Sequence, residues 1–144
     1  MRRFGRPRKP EISYAERPGV YGIIASGEML LLTQTDTLQL PGGGIDPGES
    51  PLRALHRECY EETGWKIAPV RRLGAYQRYA WLPEYGFYAR KICQIYICRP
   101  VRRLGPATEP DHMPLWMSAA NAVAHIDVSG DAVFVARAIR EGWI

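Results

Sequence analysis

The stretch that most limits what this chain can become is Pro41-Gly-Gly-Gly-Ile-Asp-Pro-Gly-Glu-Ser50. Four glycines and two prolines in ten residues exclude a helix and make a poor strand. The stretch is therefore a loop, and it separates two segments of opposite character. Before it lies the apolar run Met29–Gln34. After it comes LRALHRECYEETG, which has helical spacing. Ser50 offers an N-cap oxygen, Pro51 suits the first helical position, and Gly64 sits where a helix would stop. The spacing predicts a helix over about residues 51–63.

The rest of the chain alternates in type. GVYGIIAS and EMLLLTQ read as two strands around a turn at Gly27-Glu28, and TLQL as a short extended piece. The runs 66–82 and 87–101 are rich in β-branched and aromatic residues, with turn chemistry at Pro83–Gly86 between them. PLWM is a further strand, Ser118 caps a short helix over AANAVAH, and DAVFVARAIREGW closes the chain as a helix. Strands, helix, strands and helices in that order predict an α/β fold, a mixed sheet with helices on both faces.

Charge is unevenly placed. The formal net charge is +4, but residues 1–10 carry five basic side chains and no acid, which leaves 14 basic against 15 acidic residues in the remainder. Residues 1–12 are expected to be a flexible, solvated basic arm, and residues 13–144 the domain. Removing residues 1–10 is then expected to leave turnover of a mononucleotide unchanged. No apolar run approaches the roughly 20 residues that cross a bilayer, and no apolar core follows the basic start, so a cytoplasmic protein with no membrane partner is expected. Cys59, Cys93 and Cys98 form neither a disulfide framework nor a close CxxC pair, and are expected to be reduced and buried.

Within the predicted helix, Glu58, Glu61 and Glu62 stand at i, i+3 and i+4 and share one face. Leu52, Leu55 and Cys59 make an apolar stripe beside them, with Ala54 on the acidic side. Like charges at this spacing cost stability. Arg57 pairs by spacing with Glu61, and a solvated acidic face is the bland account. A divalent cation with hard oxygen ligands, magnesium or else manganese, is the functional one. The glycines bring bare backbone next to the acids, where phosphate and metal could sit together. No Gly-Lys-Ser/Thr follows, so this is not a Walker loop.

Gly43, Glu49, Arg57-Glu58-Cys59, Glu61-Glu62 and Gly64-Trp65 resemble, at their spacing, the Nudix box. Cys59 stands in a slot usually held by an aliphatic residue. The resemblance implies a Nudix-type α/β/α sandwich over about residues 15–144, and a magnesium-dependent hydrolase that cleaves a nucleoside diphosphate linked to another group. It also implies roles. Glu58 and Glu62 are the chief metal ligands, and Glu61 binds a further metal or positions water. Gly42 lends a carbonyl to the metal, and Glu49 with Arg57 orients the acids. The general base is left open between a box glutamate and a carboxylate outside. Glu109 is the leading outside candidate, followed by Asp111, His112 and then Glu84.

Substrate contacts are expected from the backbone at Gly43 and Gly44 and from stacking on Tyr79 and Tyr88, drawn from the aromatic set Tyr76, Tyr79, Trp81, Tyr85, Phe87 and Tyr88. Gly44 occupies a position where some MutT-like members carry Lys. A (d)NTP or related nucleotide is the expected substrate. The rivals are a dinucleoside polyphosphate, a nucleotide sugar, an RNA 5′ end, or a nucleotide sensor that does no catalysis. The expected partner is a small-molecule nucleotide rather than a nucleic acid, and the expected assembly a monomer or homodimer.

Overall fold

A computed structural model describes residues 1–144. Its strands are β1 (Ala15–Ser26), β2 (Met29–Gln34), β3 (Leu38–Gln39), β4 (Gly42–Gly44), β5 (Trp65–Leu82), β6 (Phe87–Arg103) and β7 (Met113–Ser118). Its helices are α1 (Pro51–Thr63), α2 (Ala119–His125) and α3 (Ser129–Arg140). All seven strands join one sheet, with β3, β2, β1, β6 and β5 in spatial order, β4 on β1 and β7 on β2. β1 runs parallel to β6 and every other pairing is antiparallel, so the sheet is mixed.

Alternation along the strands sorts the core into two layers. Tyr21, Ile23 and Ala25 of β1 and Leu30 and Leu32 of β2 face a larger cluster with Ala119, Ala122, Phe134, Val135 and Ala138 of α2 and α3. Val20, Ile24 and Leu31 face the other way, onto Ala54, Leu55 and Cys59 of α1. Helices cover both faces, and the result is the expected α/β/α sandwich. Burying a side chain such as Leu55, fully inaccessible here, contributes about 1.5–3 kcal/mol. The three cysteines are buried and unpaired, and no helix is long and apolar enough to cross a membrane.

Three local expectations are corrected. The triple glycine does form a strand, because β1 supplies a partner: Val20 pairs with Gly43 and Tyr21 with Gly42. Leu52 is 45% exposed while Ala54 is fully buried, so the apolar stripe of α1 passes through Ala54, Leu55 and Cys59. The N-terminal segment is not free of the domain. Arg3 bridges to Gln77 at the outer edge of β5, Phe4 N–H donates to the Gln77 carbonyl and Gln77 N–H to that of Arg2. The Phe4 ring stands edge-on to Tyr76, 5.5 Å between centroids. These contacts cover an edge that would otherwise expose unpaired backbone groups.

Asp131 of α3 ties the far helix layer to the glycine loop. It is 2% exposed, accepts from Tyr76 Oη at 2.6 Å, and accepts from the Leu40 N–H at 3.2 Å, two residues before Gly42.

Candidate active site

Helix α1 starts where its caps dictate. Ser50 accepts from the Arg53 N–H, and Gly64 ends the helix at φ 76°, where a Cβ would collide with the Gly105 carbonyl. The chain then returns over the helix end, with the Thr108 and Glu109 N–H groups both donating to the Glu61 carbonyl at 2.8 Å. That places Glu109 beside the acidic face.

Arg57 gathers the acids. Its Nε and Nη2 donate to the two Glu49 oxygens, each at 2.8 Å. Its Nη1 donates to Glu58 at 3.0 Å and to Glu61 at 3.4 Å, and Nη2 also reaches the Gly44 carbonyl at 3.1 Å. Asp46 stands 3.5 Å away. Side-chain bonding to Arg57 holds the Glu49 carboxyl down at about 2, and the same bonds raise the guanidinium above its ordinary value. One cation therefore fixes the loop and two of the three helix carboxylates.

Glu62 lies apart from that cluster. It is 6% exposed and accepts from the Gly42 N–H at 3.0 Å. Burial, then the charges of Glu58, Glu109 and Glu61, push it up to about 8 against the pull of the Gly42 amide. Burial likewise raises Glu58, against Arg57. His112 Nε2 is 3.8 Å from Glu62 and its Nδ1 is 3.0 Å from Thr33 Oγ1. Burial holds this ring below its ordinary pKa, so at neutral pH it is an uncharged neighbour.

The glycines shape the space. A Cβ on Gly42 would strike the Val20 carbonyl, one on Gly43 would strike the Glu58 carboxylate, and one on Gly44 would come 2.9 Å from Arg17 Nη2. Gly44 thus makes room for Arg17. No three His, Cys, Asp or Glu side chains converge into a ready-made cation cluster. The donor set nonetheless suits a hard divalent cation. It is all oxygen, the ionised forms of Glu58 and Glu62 are disfavoured where they stand, and the missing Gly43 Cβ leaves the Glu58 carboxylate accessible.

A cleft of about 240 Å³ joins Glu62 and the three glycines to Arg17, Lys91 and Tyr85. Glu84 also lines it. Of the residues read from the sequence as metal-binding or catalytic, Gly42 and Glu62 line this cleft, while Glu49, Glu58 and Glu61 are gathered around Arg57 and Glu109 lies over the end of α1. Tyr79 and Tyr88 do not line this cleft. They border a second cavity of about 580 Å³, packed with Tyr14 and Trp81. Asp111 is exposed. Arg17, Lys91 and Tyr21 were not foreseen.

The model of the family described as NUDIX domain matches residues 15–138. The chain belongs to the NUDIX family. A relative in Bacillus subtilis (strain 168), whose name provisionally gives it 8-oxo-dGTP diphosphatase activity, is 40% identical over 67 residues, 45% of this chain and 45% of its own. An RNA pyrophosphohydrolase of Halorhodospira halophila is 41% identical over 70 residues, 46% of this chain and 38% of its own. The chain thus spans less than half the length of either relative. Among solved structures, the MutT protein from Methanosarcina mazei Go1 superposes with TM-score 0.68 at 23% identity, covering 91% of this chain and 98% of that one. A NUDIX hydrolase from Nitrosomonas europaea gives 0.70 at 15% identity, covering 90% and 74%. These two likenesses establish the NUDIX fold.

Proposed function

We propose that this chain is a divalent-cation-dependent pyrophosphohydrolase acting on a phosphoric anhydride of a nucleoside diphosphate derivative. The observation that carries the reading is the buried Glu62, under the charges of Glu58, Glu109 and Glu61, in a cleft that also holds Arg17 and Lys91. The two named relatives point to the same bond type, one through 8-oxo-dGTP and the other through RNA. A (d)NTP or related nucleotide remains the leading substrate. The RNA 5′ end is the second reading, favoured by the RNA pyrophosphohydrolases among the relatives.

Each residue has a task in this scheme. Glu58, Glu61 and Glu62 would hold magnesium, or manganese in its place, with the backbone at Gly42 beside them. When bound, such an ion neutralises phosphate charge and lowers the pKa of water. Arg57 holds Glu58 and Glu61 in place through the bonds above, and Glu49 locks Arg57 from the far side. Burial removes water that would otherwise screen the carboxylates. Glu109 is close enough to raise Glu62 and Glu58 and is the candidate to take a proton from the attacking water. The backbone at Gly43 and Gly44 lines the cleft that would take the phosphates, and Tyr79 and Tyr88 would offer faces to the base.

The decisive experiment incubates purified protein with magnesium and a panel of nucleoside diphosphate derivatives, including 8-oxo-dGTP and 5′-triphosphorylated RNA, and identifies the products. Release of a phosphate or pyrophosphate from one class supports the reading. Absence of turnover on every compound would move the chain to the nucleotide-sensor reading.

A further inference from the structure

Two cations face each other across β5 and β6, and neither forms a salt bridge with a protein anion. Arg78 and Lys91 are direct neighbours in the antiparallel register. They share a sheet face with Tyr76 and Cys93, which belong to the core layer under α2 and α3, so both side chains start on that side. Neither takes part in any of the protein's ion pairs. The Lys91 ammonium lies 5.7 Å from the centre of the Tyr21 ring. Burial and the Arg78 charge hold it below its ordinary pKa, while Cys93, Asp131 and Glu84, the last in the same cleft, pull the other way without overcoming them. The Asp131 carboxyl is itself engaged by Tyr76 and the Leu40 amide. Like charges directly opposite in a ladder destabilise a sheet. An anion between them would remove that cost.

The pair also stands between two spaces. Lys91 lines the cleft that contains Glu62, and Arg78 lines the second cavity. At about 580 Å³ that cavity is within the range of small-molecule sites. Tyr79, Trp81 and Tyr88 border it, and so do Gly5, Arg6 and Lys9 of the N-terminal segment. The segment is fastened on both sides of this wall. Residues 2–4 bond to Gln77, and the Lys9 N–H donates to Tyr14 Oη at 3.2 Å. The wall belongs to the folded structure, and it brings positive charge and aromatic surface to one place.

We propose that a single nucleotide spans both spaces, with its phosphate chain between Lys91 and Arg78 and its nucleoside end in the cavity closed by residues 5–12. The N-terminal segment is then part of the substrate site, the reverse of what its composition implies. This inference rests on the hydrolase reading for what happens in the cleft, but not for the binding itself.

Calorimetric titration of the full chain with ADP, adenosine and inorganic pyrophosphate, in excess chelator at low salt, tests the binding without turnover. Lys91→Gln and Arg78→Gln should each weaken ADP and pyrophosphate by about 10-fold or more, the range of a hydrogen bond to a charged group, while Lys91→Arg and Arg78→Lys retain most of the affinity. Arg6→Ala with Lys9→Ala should weaken ADP and leave pyrophosphate unchanged. Lys91→Met, which keeps the aliphatic stem, replaces Lys91→Gln if thermal melting shows the latter unfolded. The inference is overturned if ADP does not bind, if it binds Lys91→Gln as tightly as the parent chain, or if the exposed control Arg140→Gln weakens it equally. A chain that binds ADP through the pair but hydrolyses nothing keeps this inference and loses the hydrolase reading. A chain that hydrolyses nucleotides with no dependence on the pair does the opposite.

Discussion

Arg57 grips Glu49 by both carboxylate oxygens, each at 2.8 Å, across eight residues of sequence. The remaining Nη1 of the same guanidinium faces Glu58 and Glu61. The loop and the helix therefore share one cation, and the geometry of the acids depends on a residue that carries none of their charge.

The Glu49–Arg57 pair makes stability depend on pH in acid. Glu49 is depressed from 4.5 to about 2 in the folded chain. A depressed carboxylate stabilises the fold above its unfolded pKa, and that contribution fades as pH falls towards the folded value. The melting temperature of the parent chain should exceed that of Glu49→Gln at pH 7. The gap should close between about pH 4.5 and pH 2. A gap that stays constant with pH would assign the loss to packing instead.

Glu62→Gln should keep the fold and lose turnover by at least about 100-fold, since catalytic electrostatics of this kind contribute that much per group. The Gly42 N–H can still bond to the glutamine oxygen, so circular dichroism should match the parent. Excess chelator should abolish parent activity and added magnesium restore it. Full activity in chelator would remove the cation from the scheme.

Gly43→Ala is expected to harm activity more than stability. Its Cβ would meet the Glu58 carboxylate, the end of a side chain that can swing away. Thermal melting should move by a few degrees while kcat falls. A variant that unfolds outright would show that the strand pairing with Val20, rather than Glu58, needs the glycine.

Tyr76→Phe should destabilise the chain by about 1–3 kcal/mol, because Asp131 Oδ1 would be left buried without its partner at 2.6 Å. Chemical denaturation measures this directly. An unchanged midpoint would mean that water reaches Asp131 in the variant.

Much of this molecule was readable because its local rules agree. Ser50, Pro51 and Gly64 marked both ends of α1, and the apolar runs on either side of Gly27-Glu28 marked β1 and β2. Glu49, Glu58 and Glu61 meet at Arg57 because their spacing already put them on one helix face and in the loop before it. What escaped depended on pairing between distant strands. The glycines became a strand only because β1 lies beside them. Tyr79 and Tyr88 border the second cavity rather than the cleft of Glu62, and nothing local in sequence says which cavity a strand residue borders. Arg17 and Lys91 share a cleft with Glu62 through β1 and β6, whose register no short window contains. The docking of residues 2–4 on Gln77 has the same cause, because their composition describes solvation and not the open edge of β5.

The parallel pairing of β1 with β6 sets the order in which the site is completed. Ala15 pairs with Ala89 and Ile24 with Cys98, so the strand beneath α1 waits for a partner synthesised far later in the chain. Helix α1 can form within about a microsecond, whereas pairings of such long range place folding towards the slower, millisecond-to-second end. The acidic helix is an early local event, but the floor that turns it into a site closes late.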